Sequence, residues 1–218
     1  MRNCVILTFA WATVGCSSTP VEVDSAVREY ISRRMSEGGQ DLTKYKIADI
    51  HRGMSSNQVE SGLEANGYKL VSSTESVSYE ELVKQKQELV AGRYADFGSG
   101  RVAISQTFRK NRETIWVGYI QAPDGNAARH IRYSMPEDLF NRAAVASTLE
   151  QRYGPPTHSS RNESEWCENS SQICISQNHV TLDLRGLTLF GDAPDTDDIQ
   201  RVIEKTLRRA VKPQQSTI

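Results

Sequence analysis

Apolar residues recur at helical spacing in five parts of the chain. The predicted helices cover about residues 24–37, 56–66, 78–90, 135–153 and 195–207. Polar residues fill the other positions of each segment, so each helix has one face suited to a core. The fourth helix is predicted to begin at a capping box formed by Ser134 and Glu137 and to end at Gly154.

Apolar and polar residues alternate in the segments between these helices, which predicts strands. The predicted strands cover about residues 68–71, 101–108, 114–120, 128–133, 164–167, 174–177 and 180–189. Short polar turns join several neighbours, as expected of antiparallel hairpins. In the last strand the alternation slips by one residue at Arg185-Gly186, which predicts a bulge. The pattern therefore predicts an α+β fold, with helices packed on one face of an antiparallel sheet.

The most specific local signal precedes the second helix. Ser55 is followed three residues later by Gln58, the spacing of a capping box, while Met54 and Val59 have the spacing of a hydrophobic staple. Val59 and Leu63 then share one helical face. This pattern predicts a helix that docks on a sheet, and the segment contains no candidate catalytic or metal-binding residue.

A weak repeat relates residues 59–64 to residues 145–150. Each copy follows a predicted capping box and precedes strands. We therefore expect two tandem helix-plus-strands units, at residues 24–134 and 135–211, followed by a disordered tail at 212–218. A chance similarity of six residues is the alternative.

The first residues are typical of an export signal. Arg2 precedes a short apolar run at residues 5–12, which is too short to span a bilayer, and Gly15-Cys16 resembles a bacterial lipobox. The resemblance implies that residues 1–15 are removed, that Cys16 is lipidated and that residues 16–23 form a tether. Ser17 after the cysteine implies sorting to the outer membrane, with the protein facing the periplasm. An ordinary cleaved signal with a coincidental cysteine is the alternative.

Two further cysteines, Cys167 and Cys174, belong to the mature chain. An even pair in an oxidising compartment predicts a disulfide, which here would clip a hairpin. A metal pair and a redox pair are the alternatives, but the spacing is not that of a CxxC motif.

Charge and sequence motifs argue against several classes of function. The 218 residues carry a formal net charge of −1, which gives no electrostatic reason to expect nucleic acid as a partner. The acidic cluster Asp192, Asp195, Asp197 and Asp198 lacks the spacing of a calcium loop. No sequence motif of a metalloprotease or serine hydrolase is present, so we expect neither a cofactor nor a metal nor an enzyme, although a catalytic triad assembled in space stays open.

The segment Ile50–Val59, with Gly53-Met54-Ser55 and Gln58-Val59, resembles the signature of the SmpA/OmlA (BamE-like) family of small outer-membrane lipoproteins. The Leu-Gly-x-Pro ending of that family is absent after Leu63, and a similar ending stands at residues 153–156. The resemblance implies helices packed on an antiparallel sheet, an outer-membrane address and a role in envelope assembly.

Four residues are candidates for binding a partner. Tyr94 and Phe97 lie in a glycine-rich segment at residues 91–100, which is predicted to be a mobile loop, and aromatic residues on loops are favoured at interfaces. Packing of both rings over a sheet edge is the alternative. Arg52 and Asn57 flank the predicted cap without an evident structural duty.

These observations together predict a lipid-anchored periplasmic protein of the outer membrane that serves as a protein-interaction or scaffold module. Its expected partners are the membrane, through the N-terminal lipid, and an envelope protein. A lipid-tethered hydrolase and a periplasmic binder of a small ligand are the alternatives.

Lipidation can be tested at Cys16. Labelled palmitate should enter the wild-type protein, whereas Cys16→Ala should remove the label and leave the protein soluble or unprocessed, because the acylated thiol is lost. Equal labelling of the two proteins would contradict the lipobox.

Overall fold

Five helices and eight strands form the described part of the chain. The computed structural model describes residues 19–35, 41–96, 98–161, 163–168, 173–181, 184–191 and 194–211. The helices are α1 (Thr19–Met35), α2 (Ser56–Ala65), α3 (Tyr79–Val90), α4 (Arg142–Tyr153) and α5 (Thr196–Val211). The strands are β1 (Lys69–Val77), β2 (Arg101–Lys110), β3 (Glu113–Ala122), β4 (Gly125–Pro136), β5 (His158–Ser159), β6 (Ser164–Glu168), β7 (Ile173–Thr181) and β8 (Leu184–Gly191).

All eight strands belong to one antiparallel sheet, in the order β1-β2-β3-β4-β8-β7-β6-β5. The α+β class and the antiparallel pairing predicted from the sequence are confirmed. The pairing of β4 with β8 joins the four N-terminal strands to the four C-terminal strands. The sheet therefore runs across the predicted boundary at residues 134 and 135, and the division into two units remains a prediction.

Helices pack against both faces of the sheet, so the expectation of helices on one face only is wrong in that detail. Successive residues of a strand point to opposite faces. In β3, Val117 and Tyr119 belong to a core shared with α2 and α4, whereas Ile120 belongs to a second core with α1, α3 and α5. A period-2 pattern identifies strands, but it does not show which helix covers which face.

The capping box before α2 is confirmed. The Gln58 N–H donates to Ser55 Oγ at 3.3 Å, and the Ser55 N–H donates to Gln58 Oε1 at 2.8 Å. Val59 and Leu63 are fully buried on the face that α2 presents to the sheet.

The segment before α2 is bound to β4 where that strand carries an extra residue. The pairing of β3 with β4 skips Arg129, which makes a bulge. There the Gly53 N–H donates to Ala128 O at 2.8 Å, and the Ala128 N–H donates to Met54 O at 2.7 Å. Arg52 is 0% exposed, and its Nε donates to Arg129 O at 2.9 Å. Arg52 therefore joins the segment to the bulge.

Two local predictions in the second half are wrong. Ser134 does not cap a helix: it lies buried in β4, which continues to Pro136 because it pairs with β8. After a 3₁₀ turn at Glu137–Leu139, Asn141 caps α4 instead, accepting from the Ala144 N–H at 3.0 Å.

The predicted bulge at Arg185-Gly186 is also wrong. Strand β8 pairs with β4 without interruption, and the irregularity lies in β7, between His179 and Thr181. The extra residue therefore belongs to the neighbouring strand.

The ends of the chain differ in part from expectation. Helix α1 already begins at Thr19, and Val23 is buried, so residues 19–23 are not a tether. The signal segment and the tail at 212–218 lie outside the described residues. Within the described residues, none of the helices combines the length and the apolar character that crossing a bilayer requires.

The cysteine pair is bonded as predicted. Cys167 and Cys174 face each other on β6 and β7, with an S–S distance of 2.08 Å. The disulfide therefore clips the β6–β7 hairpin.

Arg52→Ala should lower the free energy of unfolding by at least about 2 kcal/mol, because it leaves Arg129 O without its donor and removes a buried side chain. Asn57→Ala is the matched control: Asn57 is exposed, so the change should stay within about 0.5 kcal/mol. Urea unfolding measures both. Equal stability of the two variants would show that Arg52 does not hold the segment on the sheet.

Candidate functional site

The residues predicted to bind a partner do not form one site. Tyr94 follows α3 in the chain and is 87% exposed. Asn57 is exposed on α2, and α2 packs on the face of the sheet opposite to α3. Arg52 is buried, so its assignment to a contact surface is corrected to a structural role. Phe97 and Cys16 lie outside the described residues.

The structure shows a different candidate, a groove of about 440 Å³ between α4 and the sheet. We call it the α4 groove. Its floor consists of Tyr133 and Met135 from β4 and Leu187 from β8. The segment 46–48 forms one wall, and Leu139 and Phe140 line it just before α4. Its volume is in the range of natural ligand sites.

The second wall is one side of α4, which supplies Ala144, Val145, Thr148, Leu149 and Arg152. Of the α4 residues, Leu149 alone is buried. Val145, Ala146 and Leu149 pack against the core, whereas Ala144 is exposed and lines the open side of the groove.

The two ends of α4 are nevertheless held firmly. The Arg142 carbonyl accepts from Gln177 Nε2 at 2.8 Å, and the Gly154 carbonyl accepts from Trp166 Nε1 at 2.9 Å. Tyr153 packs edge-on against Tyr45, with ring centroids 4.8 Å apart. The groove is therefore a preformed feature, with a helix fixed above it.

Two basic residues contact Tyr153 at one end of the groove. The Lys46 backbone N–H donates to Tyr153 Oη at 3.2 Å, and the Arg152 guanidinium lies 5.4 Å from the centroid of the Tyr153 ring. Both residues line the groove. In the described part of the chain neither side chain has an ion-pair partner.

The two acidic residues of the 3₁₀ turn beside the groove form ion pairs. In the 3₁₀ turn, Glu137 pairs with Arg185 at 2.7 Å and Asp138 pairs with Arg112 at 3.1 Å. The two charged residues that line the groove, Lys46 and Arg152, are both basic.

The chemistry of the lining is that of a binding site. The described lining residues include no carboxylate, imidazole or thiol. Burial, followed by the nearby Glu113 carboxylate, raises the pKa of the Tyr133 phenol above its usual range, so this phenol stays neutral and protonated. The groove thus offers apolar surface, two cations and a few neutral polar groups.

Sequence reasoning missed this groove. The helix predicted at residues 135–153 includes Leu139 and Phe140, whereas Leu139 is 49% exposed in the 3₁₀ turn and Phe140 follows it. Two adjacent apolar residues directly before the cap Asn141 were the available signal, since an exposed apolar residue at a helix entry requires a covering partner.

A second cluster lies on the opposite face of the sheet. The rings of Trp116 and His130 are 5.6 Å apart, and the Arg132 guanidinium lies 5.9 Å from the Trp116 ring. Burial, followed by Arg132, Arg129 and Arg52, lowers the pKa of His130 from 6.5 to about 4. His130 is therefore neutral at physiological pH.

Comparison with protein-family models, with curated proteins and with solved structures finds no match to this chain. The family resemblance of residues 50–59 therefore remains a prediction, and function must be argued from the residues of the structure.

His130 should make the folded protein sensitive to acid. Between pH about 6.5 and about 4 the unfolded chain binds a proton at this imidazole more readily than the folded chain does, so stability falls as the pH falls. The melting temperature of His130→Gln should therefore drop less than that of wild type between about pH 7 and about pH 4.5. The exposed His158 supplies the control, since His158→Gln should behave as wild type. Identical drops for all three proteins would refute this role of His130.

Proposed function

We propose that this protein is a lipid-anchored envelope protein, held at the periplasmic face of the outer membrane, that binds a partner protein through the α4 groove. The α4 groove carries the proposal, because it is a preformed apolar concavity beneath a helix held at both ends. The Gly15-Cys16 pattern and the disulfide between Cys167 and Cys174 support an exported location.

The rim of the groove favours a protein as the occupant. Leu139 presents almost half of its surface to solvent at the mouth of the groove. Apolar surface that continues outside a concavity is typical of protein docking sites, where it surrounds the buried anchor of the partner.

A binding role agrees with the lining better than a hydrolytic one. A hydrolase needs a nucleophile beside a general base, and the described lining residues supply none. A periplasmic binder of a small ligand is the second candidate, and the volume of the groove favours it.

Site-specific photo-crosslinking in living cells tests the proposal. A benzophenone amino acid at Leu139 should yield a discrete protein adduct. The same group at Asn57, on another helix, should not yield that adduct.

A matched pair of blocking variants connects the adduct to the groove. Ala143 and Ala144 are adjacent exposed residues of α4, but only Ala144 lines the groove. Ala144→Trp should fill the groove and abolish the adduct from Leu139, whereas Ala143→Trp should preserve it. The proposal fails if Leu139 gives no protein adduct, or if the two tryptophan variants behave alike.

A further inference from the structure

Building on the proposed function, we infer that the α4 groove selects an apolar segment that carries a negative charge, such as a partner segment with a carboxylate beside its apolar anchor. The anchor enters the groove, and the carboxylate pairs with Lys46 and Arg152.

The first support is the imbalance of charge around the groove. The charged lining residues are Lys46 and Arg152, both cations. The nearest carboxylates in sequence to the apolar rim, Glu137 and Asp138, are held by Arg185 and Arg112. An anion entering the groove therefore meets two basic lining residues, while the two carboxylates next to Leu139 and Phe140 are already paired.

The second support is that Tyr153 contacts both basic residues. Its hydroxyl accepts from the Lys46 backbone N–H, and its ring lies beneath the Arg152 guanidinium. Tyr153 is itself packed against Tyr45, which is 3% exposed. The Lys46 backbone and the Arg152 guanidinium are therefore both anchored at Tyr153, and a positioned guanidinium loses less on binding than a flexible one.

The third support is the apolar environment next to these charges. Ion pairs are weak in bulk water and gain strength where apolar surface excludes water. Ile47, Leu149 and Leu187 line the same groove. A ligand with an apolar body and an anionic group can satisfy both parts of the site, whereas a neutral apolar ligand leaves the cations unused.

Two dyes with the same ring system test the inference. N-phenyl-1-naphthylamine is neutral, and 8-anilinonaphthalene-1-sulfonate adds one anionic group. Each dye is titrated into the purified full chain and its fluorescence is recorded. The fluorescence measured with Ala144→Trp protein, purified in the same way, is subtracted. The remaining signal comes from the groove.

Wild type should bind the sulfonate about five- to tenfold more tightly than the neutral dye, as expected for one anion meeting two partly exposed cations. The preference should shrink at high salt, because mobile ions screen exposed charges. In Lys46→Gln/Arg152→Gln the ratio of the two affinities should fall to about one.

A control pair separates the local charge from the net charge. Lys69→Gln/Arg161→Gln removes two exposed cations outside the groove and should keep the wild-type ratio. Equal loss of the preference in both double variants would overturn the inference.

The outcomes also distinguish the inference from the proposed function. If wild type and Ala144→Trp bind both dyes alike, the groove does not bind apolar groups and the proposed function fails with it. If the groove binds the neutral dye as tightly as the sulfonate, the charge selection is wrong and apolar docking still stands.

Discussion

The rest of the fold depends on the hydrogen bonds that join residues 52–54 to the bulge of β4. A bulge leaves backbone groups of its strand unpaired, and a buried loop has the same need. Here each satisfies the other, because Gly53 and Met54 exchange two backbone hydrogen bonds with Ala128. Arg52 completes the junction through Arg129 O. α2 consequently starts on the sheet, and residues 45–50 are drawn into the core.

The same junction helps to position one wall of the α4 groove. Residues 46–48 form one of its walls and precede the junction directly. The opposite wall, α4, is held at its ends by Gln177 and Trp166 and packs on the core through Leu149. The small, exposed Ala144 lies beside this contact, on the side of α4 that lines the groove.

The arrangement of charge sets the chemistry of this groove. The two carboxylates of the 3₁₀ turn pair with arginines, while Lys46 and Arg152 have no ion-pair partner in the described residues. On the opposite face of the sheet, burial of His130 and the nearby arginines keep that imidazole neutral. The groove therefore combines basic residues with an apolar lining.

The sequence by itself determined the features that depend on near neighbours. The capping box of Ser55 and Gln58, the hairpins of β2 to β4 and the bond between Cys167 and Cys174 all join residues close in the chain, so local spacing was enough to predict them. The α+β class followed from the same periodicities.

Tertiary structure alone decided the features that depend on distant partners. Ser134 has the local pattern of a helix cap, but pairing with Gly186 keeps it in a strand. Arg52 is a charged residue of a type that usually lies on the surface, but its hydrogen bond to the bulge at Arg129 holds it in a buried position. The α4 groove is assembled from three separate parts of the chain, at residues 46–48, 133–153 and 187. Tyr133 and Leu187 on its floor become neighbours only when β4 and β8 pair, and no local pattern of the sequence specifies that pairing.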